Sequence, residues 1–202
     1  MGKEIDFLKN FVEGKIDINC FEEELYGNND LKMLLEDNNI NWMDTYLENS
    51  NPYLRLLELN YKDFGDRLNA QGVVELFLKK IGIEFNANEQ FRDDFNLILD
   101  SMPKYLNVKM GFIQKYIFPT DKNISKKEKK EYMKQKFKEY FRYHNKPPHW
   151  IQSPKWIIKN DTPLYFLGQK EIKDCELFHD NGAIYIFINV ETKEVETVIQ
   201  LY

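Results

Sequence analysis

Apolar residues along this chain follow two periods. Over the first two-thirds they recur with helical spacing, and beyond Pro147-Pro148 they alternate with the period of two that marks strands. Phe7, Leu8, Phe11 and Val12 make the first stripe, and Gly14 ends it. Asn19 and Glu22 stand at capping-box spacing ahead of a short helix with Phe21, Leu25 and Tyr26 inward. Asn51-Pro52 sets an N-cap before a proline at the first helical position, with Leu56, Leu57 and Leu59 to bury. VVELFLKKIG (73–82) closes on Gly82 as a C-cap. NEQFRDDFNLILDSMP puts Phe91, Phe95, Ile98 and Leu99 on one stripe before Pro103. Ser125 and Glu128 form an S-x-x-E capping box, and Met133, Phe137, Tyr140, Phe141 and His144 follow it at helical spacing.

The strand regime holds PLYFLGQKEI (163–172), AIYIFIN (183–189) and VETVIQLY (195–202), the last two joined by VETKE as a hairpin. The pattern predicts an α+β fold, with a bundle of about six helices over residues 1–145 and a small antiparallel sheet over 146–202 packed on it. At the junction stands NKPPHWIQSPKW (145–156). Pro147 and Pro148 are expected to stop the preceding helix, since proline lacks the amide donor and disfavours helix in the residue before it. Trp150 and Trp156 are expected to pack across the helix–sheet boundary, each indole N–H finding an acceptor. Two other readings of this loop are a lip that touches a partner and a small-molecule site.

Composition places the chain among folded proteins: of 202 residues, 43% are hydrophobic and 15% aromatic. No apolar run nears the roughly 20 residues that cross a bilayer. MGKEIDFLKNFVEGK has charges where a signal peptide needs an apolar core, and Asp6 stands where a myristoylation motif wants Ser or Thr. A cytoplasmic location is the resulting expectation. In a reducing compartment Cys20 and Cys175 read as two small, partly buried hydrophobes.

Charge sharpens the picture. Residues 1–100 carry 10 Lys and Arg against 21 Asp and Glu, net −11, while residues 101–202 carry 18 against 12, net +6. An acidic half discourages nucleic acid, whose affinity comes from phosphate neutralisation, and favours a basic partner drawn in by electrostatic steering. Residues 122–142 hold nine Lys and Arg against three Glu. That stretch reads as the solvated face of an amphipathic helix, as a charge-matched contact with protein, or as a nucleic-acid module without an interleaved aromatic platform.

Catalytic signatures are sparse. The glycines form neither GxGxxG nor GxxxxGK[ST], and GxSxG and HExxH are absent. His144, His149, His179 and Asp180 form a metal-like set only if the fold gathers them, and no tight ligand pair supports it. His179-Asp180 in HDNG reads as a polar turn. Asp93-Asp94 and Glu22-Glu23-Glu24 lie on predicted helices where neighbours diverge by about 100° each. The expectation is a chain with no cofactor, no metal and no catalysis.

Two stretches resemble known proteins. FLKNFVEGKIDINCFEEEL (7–25) resembles the opening of bacterial immunity proteins of the colicin D immunity-like kind. PPHWIQSPKWIIKNDTPLYFLGQ, with FHDNGAIYIFINVETKEVETVIQLY, is similar to the C-terminal part of contact-dependent growth inhibition immunity proteins, which accompany polymorphic toxins. Together they cover under half of the chain. The resemblance implies a small cytosolic protein that binds and occludes one cognate toxin domain, often a nuclease with a basic cleft, and it carries no catalytic residues. If the acidic half makes the contact, the candidates are Glu22, Glu23, Glu24, Tyr26, Asp30, Glu36 and Asp37; if the sheet does, they are Trp150, Trp156, His179 and Asp180. The acidic half is favoured. The alternatives are a small hydrolase or nuclease using His179 and Asp180, and a nucleic-acid-binding module built on the basic helix 122–142.

Overall fold

A computed structural model describes residues 2–121, 124–173 and 178–202. The chain divides into two compact units, Met1–Asn96 and Leu97–Tyr202. The fold class is α+β: helices come first and the antiparallel sheet last.

The first unit is helical. It holds α1 (Lys3–Val12), α2 (Ile18–Gly27), α3 (Asn29–Leu35), α4 (Pro52–Leu57), α5 (Phe64–Lys80) and the start of α6 (Gln90–Ser101). Leu8, Phe11 and Val12 of α1 are buried as the stripe predicts. Phe11 stacks on Phe21 with ring centroids 3.9 Å apart, and Tyr61 meets Phe21 edge-on at 6.0 Å. Asn51 caps α4, its Oδ1 accepting from the Leu54 amide at 2.9 Å. Gly14 and Gly82 adopt φ of +73° and +74°, the left-handed turn that lets the chain leave α1 and α5.

Three helical expectations shift. The cap of α2 is Asp17, not Asn19: its carboxylate accepts from the Asn19 and Cys20 amides at 2.9 and 3.2 Å. With Ile18, Phe21 and Leu25 inward, Tyr26 lies about 100° round from Leu25 and is 59% exposed. On α6 the buried positions are Leu97, Ile98 and Ser101, whose Oγ donates to the Leu97 carbonyl at 2.6 Å; Leu99 therefore faces outward, 46% exposed. Cys20 is exposed and free, so it is no buried hydrophobe. Cys175 lies outside the described residues.

The second unit holds the end of α6, α7 (Met110–Tyr116), α8 (Lys126–Tyr140) and five strands: β1 (Ile158–Lys159), β2 (Thr162–Pro163), β3 (Tyr165–Ile172), β4 (Gly182–Ile188) and β5 (Val195–Leu201). Strands β3-β4-β5 form one antiparallel sheet in that order, and β1-β2 a separate hairpin. Ser125 and Glu128 complete the expected capping box at the start of α8. Phe187 and Tyr185 of β4 and Val198 and Gln200 of β5 point to the buried face of the sheet.

The units divide at Asn96/Leu97, and not where the periodicity changes at 145/146, because α7 and α8 pack with the strands. Trp156 is T-shaped to Phe141 at 5.4 Å and to Phe187 at 5.5 Å, and Phe141 in turn touches Phe112 of α7 at 5.7 Å. Nor do Pro147 and Pro148 stop α8, which ends at Tyr140. Residues 142–144 run extended beside β3: Phe166 donates its amide to the Arg142 carbonyl, His144 donates to the Phe166 carbonyl, and both bonds are 3.0 Å. His144 is consequently off the helix and exposed.

The loop NKPPHWIQSPKW is held from inside the second unit. Trp150 Nε1 donates to the Tyr105 carbonyl and Trp156 Nε1 to the Leu164 carbonyl, each at 2.9 Å. Buried Gln200 accepts from the Ile151 and Gln152 amides at 3.1 and 3.0 Å and donates to the Ser153 carbonyl at 2.9 Å. Tyr185 Oη donates to the His149 carbonyl and accepts from the Ile151 amide, both at 2.9 Å.

Candidate functional site

Charge separates between the two units much as it does between the two halves of the sequence. Residues 1–96 hold 10 Lys and Arg against 20 Asp and Glu, net −10; residues 97–202 hold 18 against 13, net +5. Residues 17–50 are the extreme, with nine carboxylates and a single cation, Lys32.

Helical geometry arranges those carboxylates around exposed apolar side chains. On α2, Ile18, Phe21 and Leu25 face the core, so Tyr26 faces outward with Glu22 and Glu23 at i−4 and i−3. On α3, Leu31 and Leu35 face the core, and Met33 projects opposite them, 64% exposed, with Asp30 at i−3 and Glu36 and Asp37 at i+3 and i+4. Met43 and Tyr46 follow in the connection to α4, 61% and 64% exposed, and Leu54 on α4 is 49% exposed. Among the described residues, every large exposed hydrophobic of this unit lies between Tyr26 and Leu54.

Not all of the candidate carboxylates are equally available. Glu24 accepts from Asn28 Nδ2 at 3.0 Å, and Asp37 accepts from the Asn39 amide and Nδ2 at 2.9 and 2.8 Å. Both are engaged in shaping the turns after α2 and α3. Tyr61, under α2, donates its hydroxyl to the Leu56 carbonyl at 2.8 Å; burial pushes its phenol well above the usual range, with Tyr26 and Glu22 adding to the rise. The face is therefore built on a neutral, fixed support, with charge only in its outer layer.

The sheet-side candidates fare differently. Trp156 is 7% exposed and Trp150 half-buried, with both indole N–H groups bonded inward, so neither is placed to meet a partner. His179 and Asp180 lie exposed in the bend before β4, and His144 and His149 are exposed elsewhere in the unit. Among the described residues, no group of three or more His, Cys, Asp or Glu side chains is placed to hold a metal ion.

On α8 the lysines are partly neutralised: Lys130 pairs with Asp100 at 3.2 Å, Lys134 with Glu131 at 2.9 Å and Lys136 with Glu139 at 2.8 Å. Tyr132 nevertheless stands 43% exposed on this helix, with Lys136 Nζ 5.7 Å from its ring centroid, so an aromatic does interleave with the basic face.

Each unit also carries a groove among its described residues. One of about 620 Å³ in the first unit is bordered by Lys9, Lys79, Gly82, Phe85 and Asn86. Its lysines are paired with Glu13 at 3.9 Å and Glu75 at 3.7 Å. The other, of about 420 Å³ in the second unit, lies between Pro147, His149 and the β3 bulge at Leu167-Gly168.

Sequence reasoning reached the carboxylates and Tyr26, though it turned Tyr26 inward. It missed Met33, Met43 and Tyr46. For Met33 a signal was present, since it falls on the polar side of a helix whose apolar side is already supplied by Leu31 and Leu35. Among the described residues no helix is long and apolar enough to cross a membrane. Compared with models of protein families, with curated proteins and with solved structures, the chain matches none.

Proposed function

We propose that this chain is an immunity protein that binds a cognate bacterial toxin domain, with a basic active-site cleft, and occludes it with the acidic face of α2 and α3. The observation that carries the reading is the placement of Tyr26 and Met33, each exposed and each about one helical turn from carboxylates (Glu22 and Glu23, Asp30 and Glu36), on a unit of net charge −10. This is the chemistry of an interface whose aromatic and Met anchors supply contact energy while the charged rim steers the encounter. Burying one such anchor contributes roughly 1.5–3 kcal/mol. The resemblance of residues 7–25 to colicin D immunity-like proteins supports the same face, since it contains Glu22, Glu23 and Glu24.

The test takes the C-terminal domain of a secreted protein encoded by a neighbouring gene and co-expresses it with this protein. Cells that make this protein survive, and Tyr26→Ala with Met33→Ala weakens the purified complex by about 100-fold or more. Glu23→Lys with Glu36→Lys slows association, and the loss shrinks as salt rises. Killing that continues in the presence of the folded protein overturns the proposal. Tyr132 among the α8 lysines is the observation that favours the other reading, a single-stranded nucleic-acid module. Salt-sensitive binding of generic RNA, lost in Tyr132→Ala, is its signature.

A further inference from the structure

The sheet of the second unit is apolar on both faces, and on the face away from Tyr185 and Phe187 the described β5 side chains Val195 and Ile199 stand exposed. Register places Ile188 opposite Val195, Ile186 opposite Thr197 and Ile184 opposite Ile199, all on the side away from Tyr185, Phe187 and Val198. The three β4 isoleucines are half-buried, whereas Val195 and Ile199 on β5 are 59% and 47% exposed.

The same three β5 residues also carry unpaired backbone. Asn189 donates to the Glu194 carbonyl and Tyr202 to the Asn181 carbonyl, which fixes the even-numbered residues of β5 as those bonded to β4. The amides and carbonyls of Val195, Thr197 and Ile199 therefore point outward along the edge. Among the described residues no strand pairs with that edge. It also lacks the usual protection, since VETVIQL contains no proline, glycine or lysine. Its one charge, Glu196, is held by Lys159. The opposite edge of the sheet is covered at one end, where Phe166 of β3 bridges to Tyr143 and the Gln169 side chain bonds both the amide and the carbonyl of His149.

We propose that β5 pairs with β5 of a second copy of this chain, antiparallel about a two-fold axis at Thr197. The charge pattern selects this occupant. In that register Thr197 faces its own counterpart, Val195 faces Ile199 of the second copy, and Glu196 faces Val198, so no like charges oppose one another. The outward groups of the two strands are satisfied by about six backbone hydrogen bonds, and the exposed apolar faces join into one six-stranded surface. The two-fold pairing uses the same β5 edge of each chain, so it closes as a dimer and does not propagate through that edge.

The test uses the full chain. Sedimentation equilibrium is expected to show a dimer whose population rises between about 1 and 100 µM protein, as suits a contact of modest area. Thr197→Pro removes an outward amide that β4 does not use, and Val195→Lys places charge on the face away from Tyr185. Each is expected to weaken the dimer at least tenfold with an unchanged circular dichroism spectrum. In a Cys20→Ser, Cys175→Ser background, Thr197→Cys is expected to cross-link rapidly on mild oxidation, because directly opposed residues bring their Cα atoms within disulfide range. Thr192→Cys, in the turn before β5, is expected to stay reduced. A chain that is monomeric throughout this range, a dimer indifferent to Thr197→Pro and Val195→Lys, or a Thr197→Cys variant that cross-links no faster than Thr192→Cys overturns the proposal.

Discussion

Gln200 offers a quantitative test of how the loop at 145–156 is held. Its side chain is 5% exposed and meets three main-chain groups in succession: it accepts from the Ile151 and Gln152 amides and donates to the Ser153 carbonyl. The Ile151 amide has a second acceptor in Tyr185 Oη at 2.9 Å. Gln200→Met keeps the volume of the side chain and removes its polar atoms. Two loop groups then lose their partners while Ile151 keeps one. At about 1 kcal/mol per lost net hydrogen bond, the cost is about 2 kcal/mol. Tyr185→Phe removes the hydroxyl bond to the His149 carbonyl, which keeps Gln169 Nε2 at 3.3 Å, so the cost is that of one net bond, about 1 kcal/mol, and again Ile151 keeps one acceptor.

In the double variant Ile151 has neither acceptor. An unsatisfied, part-buried amide adds about 1–2 kcal/mol beyond the sum of the single changes. Urea denaturation followed by circular dichroism at about 1 µM protein, where mass action disfavours self-association, measures all four corners of the cycle. The expected losses are about 2, 1 and 4–5 kcal/mol for the two singles and the double. Single losses under about 0.5 kcal/mol, or a double that is additive within about 0.5 kcal/mol, refute the reasoning. Either result would mean that water satisfies the loop and that the two indoles alone hold it.

The turns after α1 and α5 separate backbone strain from crowding. Gly14 and Gly82 share nearly the same positive φ, but a Cβ at Gly14 would run into the Asn88 side chain whereas none of the surrounding atoms lies near one at Gly82. Gly82→Ala is expected to cost about 1 kcal/mol and Gly14→Ala at least 1 kcal/mol more, read from urea midpoints; equal losses would show that Asn88 moves aside freely. In the second unit, burial and then the neighbouring Tyr143 raise the Tyr105 phenol to about 12. Its neutral form is therefore favoured by folding, so the stability it contributes is complete below pH about 10 and is lost as pH rises through about 12. Tyr105→Phe should flatten the fall of stability over that alkaline window, and a parallel slope in both proteins would remove Tyr105 as a cause.

What the sequence made legible was local. Asn51-Pro52, the Ser125–Glu128 box, Gly82 and the 183–202 hairpin each follow from a short pattern with one dominant physical outcome, and each is found as read. Hairpin β1-β2 was missed because its two-residue turn uses Asn160-Asp161, at φ of +47° and +60°, in place of the Asn-Gly that signals such turns. Asp161 is held there by Lys115 Nζ at 2.7 Å and Tyr116 Oη at 2.8 Å, contacts 45 and 46 residues away that no local pattern contains. The division of the chain was misplaced for a related reason. Periodicity reports the conformation of a segment, whereas the boundary depends on which aromatic packs on which, and Phe112 packs on Phe141, which packs on the sheet-side Trp156. At the candidate site the carboxylates were legible from composition. Met33, Met43 and Tyr46 were not, because an apolar residue is counted toward the core until its neighbours show that the core is already full.

Both units leave apolar side chains exposed, but they differ in how they use their polar-tipped ones. In the second unit the amphipathic side chains turn inward: both indole N–H groups, the Tyr185 hydroxyl and the Gln200 amide are bonded to the unit's own main chain. Groups committed in this way have nothing left to offer a partner, and freeing them would first break the loop they hold. In the first unit the support is equally fixed, through the Tyr61 hydroxyl and the stacked Phe11 and Phe21, but Tyr26, Met33, Met43 and Tyr46 are left over, outside a core that is complete without them. Exposed apolar area of that kind costs solubility and adds nothing to the unit's stability. Charge then selects among its uses. At physiological salt a charge is felt over about 8 Å, so docking at Tyr26 or Met33 is governed by carboxylates as near along their helices as Glu22, Glu23, Asp30 and Glu36. On the proposed reading, a partner that covers Tyr26 or Met33 brings its own cations to within that distance, as a basic cleft does.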